Sequence, residues 1–300
     1  MRRLFVIWIL AILFFSSCGG QPTSSSRTTA PIVLTSTTFL ADIARNIAGD
    51  RLKIESLLPV GVDPHSYQPT PQDVTKIVES KLLIINGAEY EHFLESLLEN
   101  AESEREVIEA SAGLSPRKDA ESGHGGTDPH LWLDPNNVII YVENIREGLT
   151  HYDPDGAATY QSHAEAYVAQ LKALDTWISE QVDQIPPERR LLVTNHEALG
   201  YFADRYGFTV VGAVVPGVSS DASPSAEQMA KLIDQIKSND TPALFLDEVE
   251  NPALAQQIAD ETGVKVVEDL HLESLTDGPP AATYIDMIKH NISRIVEALK

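Results

Sequence analysis

The stretch Ala164-Glu165-Ala166-Tyr167-Val168-Ala169-Gln170-Leu171-Lys172-Ala173-Leu174-Asp175-Thr176-Trp177-Ile178-Ser179-Glu180-Gln181-Val182 decides the architecture of this chain. Ala164, Tyr167, Val168, Leu171, Leu174, Ile178 and Val182 recur three and four positions apart, the spacing of one apolar helix face. The pattern fills most of residues 154–182, and Pro186-Pro187 ends it. A helix of that length spans roughly 40 Å, more than one small domain needs. It reads as a rigid backbone joining two lobes, and 300 residues is more than a single domain usually holds. The expected division is a first lobe at 31–153, a linking helix at 154–185 and a second lobe at 186–300.

On either side of that helix, short apolar runs alternate with helical patterns. Before it, strands are predicted at 31–36, 52–58, 82–85 and 107–108; after it, at 191–194, 209–215, 243–247 and 264–267. Phe39, Leu40, Ile43 and Ile47 share the face of a first helix that Gly49 stops. Thr70-Pro71 opens another, with proline where its missing N–H costs nothing. The same device is expected at Asp134-Pro135, Asp153-Pro154, Ser223-Pro224 and Asn251-Pro252, and a last helix at 283–299. Strands alternating with helices give an α/β fold with parallel sheets covered on both faces.

Asp-Pro-His occurs twice, at Asp63-Pro64-His65 and Asp128-Pro129-His130. Proline fixes its own φ and biases the residue before it toward extended backbone, so each histidine sits on a stiff loop. One such histidine is ordinary in a turn. Two copies, with a third histidine, His196, directly after a predicted strand, point to a metal site where open α/β sheets present ligands. A fourth donor is expected from the second lobe. Asp269, His271, Glu273 and Asp277 are the candidates, and spacing does not choose among them.

The formal charge is −22, from 22 basic and 44 acidic side chains. Such a chain repels phosphate backbones and anionic headgroups, which argues against nucleic acid as a partner. The N-terminus reads as a targeting segment, residues 1–18: Arg2 and Arg3 precede an apolar run at 4–15, too short to span a bilayer. Phe15-Ser16-Ser17-Cys18 follows and resembles a bacterial lipobox, in which Cys18 is the lipidation site. Cys18 is the sole cysteine, so no intramolecular disulfide forms. The Ser/Thr-rich residues 19–30 read as a flexible tether.

Four segments carry a closer resemblance: Asp63-Pro64-His65-Ser66-Tyr67-Gln68-Pro69-Thr70-Pro71, His130-Leu131-Trp132-Leu133-Asp134-Pro135, Thr194-Asn195-His196-Glu197-Ala198-Leu199-Gly200-Tyr201-Phe202 and Tyr284-Ile285-Asp286-Met287. In this order they resemble the metal-binding lipoproteins of ABC importers for zinc and manganese, the cluster A-I or zinc-uptake A-type family. The resemblance implies two β/α lobes joined by one long rigid helix, with the metal site in the cleft between them. It puts ligands on His65, His130 and His196, and a fourth, acidic one on Glu273. It implies Zn2+ as transported cargo, with Mn2+ the second candidate, because manganese members usually place a carboxylate where this chain has His196. It also implies an ABC permease and its ATPase as partners, a lipid anchor in the membrane through Cys18, and a monomer outside the cytoplasmic membrane, in the periplasm or at the cell surface. One departure is that the loop at 120–127 holds only His124, where many zinc members carry a histidine-rich insertion.

Two rival readings start from the same residues. A zinc-dependent hydrolase also uses three protein ligands beside an open position. His196-Glu197 opens like His-Glu-x-x-His, but Gly200 stands where the second histidine belongs; Glu197 is instead expected at a helix start, favoured by the macrodipole. The other rival is a metal-binding surface adhesin. The expectation is a binding protein with no catalytic residues. His92, His151, His163 and His290 read as surface residues, and His271 as a rival donor to Glu273.

Overall fold

The computed structural model describes residues 32–100, 105–118, 126–220, 223–247 and 249–300. The targeting segment with Cys18, the tether and His124 lie outside the described residues. The chain runs β1 (Ile32–Thr35), α1 (Thr38–Ala48), β2 (Lys53–Ser56), α2 (Pro71–Glu79), β3 (Leu82–Ile85), α3 (His92–Asn100), β4 (Glu106–Glu109), β5 (Arg117–Lys118), β6 (Thr127–Asp128) and α4 (Pro135–Tyr152). It continues through α5 (Ala157–Val182), β7 (Leu191–Thr194), α6 (Gly200–Tyr206), β8 (Thr209–Ala213), α7 (Ala226–Ser238), β9 (Ala243–Asp247), α8 (Ala253–Thr262), β10 (Lys265–Leu270) and α9 (Tyr284–Leu299).

Two four-stranded sheets form, in the orders β2-β1-β3-β4 and β10-β9-β7-β8, with every paired strand parallel. Both sheets therefore reverse direction beside their first strand, and open α/β sheets bind ligands outside the carboxyl ends at such switch points. Alternation along each central strand feeds two cores. In β3, Leu82 and Ile84 face the main core and Leu83 the layer under α2 and α3. In β9, Ala243 and Phe245 face the main core, while Leu244 and Leu246 face α7 and α8.

The 26-residue α5 buries Tyr160, Ala164, Tyr167, Leu171, Leu174, Ile178 and Val182. Its length is about 39 Å. It packs on α1 and α4 of the first lobe and on α9 of the second, so one apolar core runs unbroken from Val33 to Leu299. The last lobe also leans directly on the first. The Tyr284 amide donates to Asp42 (2.9 Å), the Leu275 amide to Thr38 (2.9 Å) and the Tyr284 hydroxyl to the Trp132 carbonyl (2.6 Å).

Local expectations differ from the structure in several places. Asp153-Pro154 opens a 3-10 turn, Pro154–Gly156, rather than the long helix itself, because the Asp153 carboxylate accepts from Arg51 and from the Tyr160 hydroxyl instead of capping. Ser223-Pro224 precedes α7 without capping it; Ser225 takes that role in a reciprocal box with Gln228. Asp134 and Thr70 do cap their helices as expected. Glu197 lies in a bend before α6, where its backbone N–H donates a hydrogen bond to the Gly217 carbonyl (2.8 Å), so it is not a helix-start residue. The two-residue hairpin strands β5 and β6 were too short to show in the residue pattern. Among the described residues no helix is long and apolar enough to cross a membrane.

Candidate metal centre

The two Asp-Pro-His segments share a lock that the prolines alone do not provide. The Asp63 carboxylate accepts the His65 amide at 2.9 Å, and the Asp128 carboxylate accepts the His130 amide at 3.0 Å. In each case an aspartate closes a turn over the residue two positions on. Asp128 also sits 2.9 Å from His130 Nδ1, fixing the ring as well as the backbone. Asp63 instead accepts from Ser66 (3.0 Å) and, across the mouth of the cleft, from Ser220 (2.7 Å). Downstream of His65, Asp73 accepts from Tyr67, Thr70 Oγ1 and the Thr70 amide, tying the loop to the start of α2.

His65 follows β2, His130 follows β6, His196 follows β7 and Glu273 follows β10. One ligand atom from each lies within 4.8 Å of the other three. His130 Nε2 and His196 Nε2 are 3.2 Å apart. Glu273 Oε1 stands 3.0 Å from His130 Nε2, 3.3 Å from His196 Nε2 and 3.7 Å from His65 Nε2. Donors at 2.0–2.1 Å from a tetrahedral ion are separated by about 3.3 Å, so these edges fit a first-row cation. His65 Nε2 is buried without a hydrogen-bond partner, as a nitrogen reserved for a cation would be. All four side chains are at most 7% exposed.

Three further groups hold the cage. The Glu250 carboxylate meets His196 Nδ1 at 2.7 Å and accepts the Asp247 amide at 2.8 Å. Asp247 accepts the amides of Leu272 and Glu273, fixing the loop that carries the carboxylate. The Tyr90 hydroxyl donates to Glu273 Oε2 at 2.7 Å. Sequence reasoning missed all three. The only available signal was position: Asp247 and Glu250 lie at and just beyond the carboxyl end of β9.

Among the sequence candidates for a fourth donor, only Glu273 reaches the cage. Asp269 pairs with Arg294 (2.7 Å). His271 is held through its backbone by Asn291 and packs its ring against His290. Asp277 is exposed. Gly200 approaches the hairpin so closely that a Cβ there would lie 2.8 Å from Arg117 Nε and 2.9 Å from Asp128 Oδ2. A histidine at that position does not fit.

Electrostatics of the metal-free cage follow from these contacts. Burial opposes charge on His196, but hydrogen bonds to Glu250 and Glu273 win and push it up to about 10. Burial likewise opposes charge on His130, and the charges and hydrogen bonds of Glu273 and Asp128 raise it above its ordinary value. Glu273, despite its burial, is held well below the usual carboxylate range by the facing histidines. Burial, reinforced by the Glu273 charge, pushes Asp247 up to about 8. Burial and the same charge keep the Tyr90 phenol well above its ordinary value, hence protonated and a donor. A cation entering through His130 and His196 therefore competes with protons that the neighbouring carboxylates favour on these two rings.

Two parallel α/β lobes on one helical backbone, with a closed group of three imidazoles and one carboxylate between them, define a two-lobed cation-binding protein. Residues 33–298 match the family described as zinc-uptake complex component A, periplasmic, and the chain belongs to that family. It is 35% identical over 297 residues to the manganese-binding lipoprotein MntA of Halalkalibacterium halodurans, covering 98% of this chain and 97% of that one. It is 33% identical over 296 residues to the iron-binding protein YfeA of Yersinia pestis, covering 98% and 94%. Among solved structures, the periplasmic zinc binding protein TroA from Treponema pallidum superposes with a TM-score of 0.83 at 30% identity, over 90% of this chain and 99% of that one. The Mn-bound periplasmic metal binding protein from Candidatus Liberibacter asiaticus gives 0.81 at 30% identity, over 90% and 100%.

Proposed function

We propose that this protein is an extracytoplasmic lipoprotein that captures zinc and delivers it to an ABC permease and its ATPase for import. The observation that carries this reading is the convergence of His65, His130, His196 and Glu273, one donor atom each, at the carboxyl ends of strands. Three imidazoles and one carboxylate make a nitrogen-rich set of four, the donor set that suits tetrahedral zinc. Manganese favours more oxygen; it is the second reading, supported by the manganese named in several relatives. A carrier rather than a hydrolase is favoured because four protein donors fill the tetrahedron, whereas catalytic zinc keeps a position open. The lobes are assigned to 31–153 and 186–300, with 154–185 as the link, and the working unit is a monomer.

The test is metal analysis of protein purified without chelator, followed by zinc–manganese competition. About one zinc per chain, retained against manganese, is expected. Protein that retains no metal and binds neither ion rules the function out.

Lipid anchoring at Cys18 is part of the same proposal, supported by the lipobox-like residues 15–18 and by the word lipoprotein in the names of relatives. Cys18→Ser should shift the protein from the membrane fraction to the soluble one. A variant as firmly membrane-bound as the wild type would remove Cys18 as the anchor.

A further inference from the structure

Glu273 offers its two oxygens to different partners. Oε1 faces the three histidines, while Oε2 accepts the Tyr90 hydroxyl at 2.7 Å. Bidentate binding needs both oxygens turned toward the cation, and the phenol opposes that turn. Building on the functional reading above, we propose that Tyr90 sets the cation preference of the cage. By occupying Oε2 it holds Glu273 to a single bond, which suits a four-coordinate ion and disfavours one that needs more oxygen.

Tyr90 is placed too firmly for the contact to be incidental. It is buried, its ring stands edge-on to His65 (5.8 Å, 90°) and it packs on Trp132 (4.9 Å). Trp132 in turn donates its indole N–H to the Leu272 carbonyl, beside Glu273, at 2.8 Å. The phenol and the carboxylate are therefore held from both sides.

The backbone leading to Tyr90 carries strain. Gly87, Ala88 and Glu89 have φ of 82°, 53° and 62°, and only glycine occupies that region at no steric cost. Such strain persists where surrounding structure over-determines it. Here Thr127 of β6 supplies that restraint: its hydroxyl donates to the Ala88 carbonyl (3.1 Å) and its amide to the Glu89 carboxylate (3.3 Å). The Tyr90 amide closes the turn on the Gly87 carbonyl (3.2 Å). The segment that delivers His130 thus also fixes the turn that presents Tyr90.

Cation preference follows from coordination number. Zinc is satisfied by four donors. Manganese suits oxygen-rich, higher-coordinate sites, and the cheapest extra oxygen in this closed cage is Glu273 Oε2. Tyr90→Phe removes one hydroxyl, keeps both ring contacts and frees that oxygen.

Zinc and manganese affinities of the whole protein, wild type and Tyr90→Phe, are measured by competition against chromogenic chelators. The zinc-over-manganese ratio should fall about tenfold in the variant, mainly through tighter manganese, the effect of one hydrogen bond to a charged group. X-ray absorption of the zinc-loaded wild type should find one carboxylate oxygen at bonding distance and no second. An unchanged ratio in a variant that still binds zinc overturns the inference while leaving the functional reading intact. A bidentate Glu273 in the zinc-loaded wild type overturns it too, even if the variant fails to fold. A wild type that binds neither ion overturns the functional reading and this inference with it.

Discussion

His196→Ala is expected to lose most of the metal-induced rise in Tm. The proposed ligands come from both sides of the long helix, His65 and His130 before it and His196 and Glu273 after it. A cation that binds only the folded state stabilises it by about 2.7 kcal/mol when free metal is one hundred times its Kd. Removing one of four donors weakens binding enough to erase that gain at the same metal concentration. The substitution also leaves Glu250, bound at 2.7 Å to the lost ring, without its partner, so the metal-free variant should itself melt earlier. The diagnostic quantity is therefore the difference between metal-loaded and metal-free Tm within each variant. An undiminished difference would place the cation elsewhere. His196→Glu extends the test: zinc affinity should fall more than manganese affinity, because an imidazole is exchanged for an oxygen donor. A variant keeping its full zinc preference would remove His196 from the ligand set.

The metal is not the main bond between the lobes. One apolar core passes through α5 into both of them, and the segment around Leu275 and Tyr284 is hydrogen-bonded to α1 of the first lobe. The helix therefore buries its stripe against both lobes rather than spacing two independent bodies. At the cleft mouth the 59–69 loop is hydrogen-bonded to the second lobe by Ser220 to Asp63 (2.7 Å) and by the Gly61 amide to Ser274 (2.9 Å).

What the sequence made legible were the features written in local patterns. The helix stripe from Ala164 to Val182, the strand–helix alternation and the repeated Asp-Pro-His each lie within a short window of residues. The architecture and the grouping of His65, His130 and His196 could be read from these. The fourth member could not be read from spacing, because residues 269–277 alone hold four acidic or histidine candidates. Packing separates them, sending Asp269 to Arg294 and His271 toward His290. The supporting residues were invisible for the same reason. Tyr90 meets a partner 183 positions away and Glu250 one 54 positions away. Such pairs leave no periodicity, and only the tertiary fold brings them together.

Trp132→Ala is expected to destabilise the metal-free protein strongly. Trp132 is fully buried, stacks on Phe39 of α1 at 4.6 Å and lies 5.2 Å from the His130 ring. Its indole N–H reaches the Leu272 carbonyl of the second lobe. Deleting a buried tryptophan side chain costs about 3–5 kcal/mol through lost burial and the cavity left behind. Here the Leu272 carbonyl also loses its donor, adding roughly 1 kcal/mol. Melting of the metal-free variant should fall by about 10 °C. Trp132→Phe separates the two contributions, since it keeps an aromatic surface against Phe39 and loses the N–H. It should recover more than half of the stability and still bind metal more weakly than wild type, because Leu272 precedes Glu273 and shares its loop. Should Trp132→Ala melt within a degree or two of wild type, the joint between His130 and the Glu273 loop is not where the two lobes are fastened. In that case the stabilising contacts must be sought along α5 and α9, whose buried faces are independent of the cage.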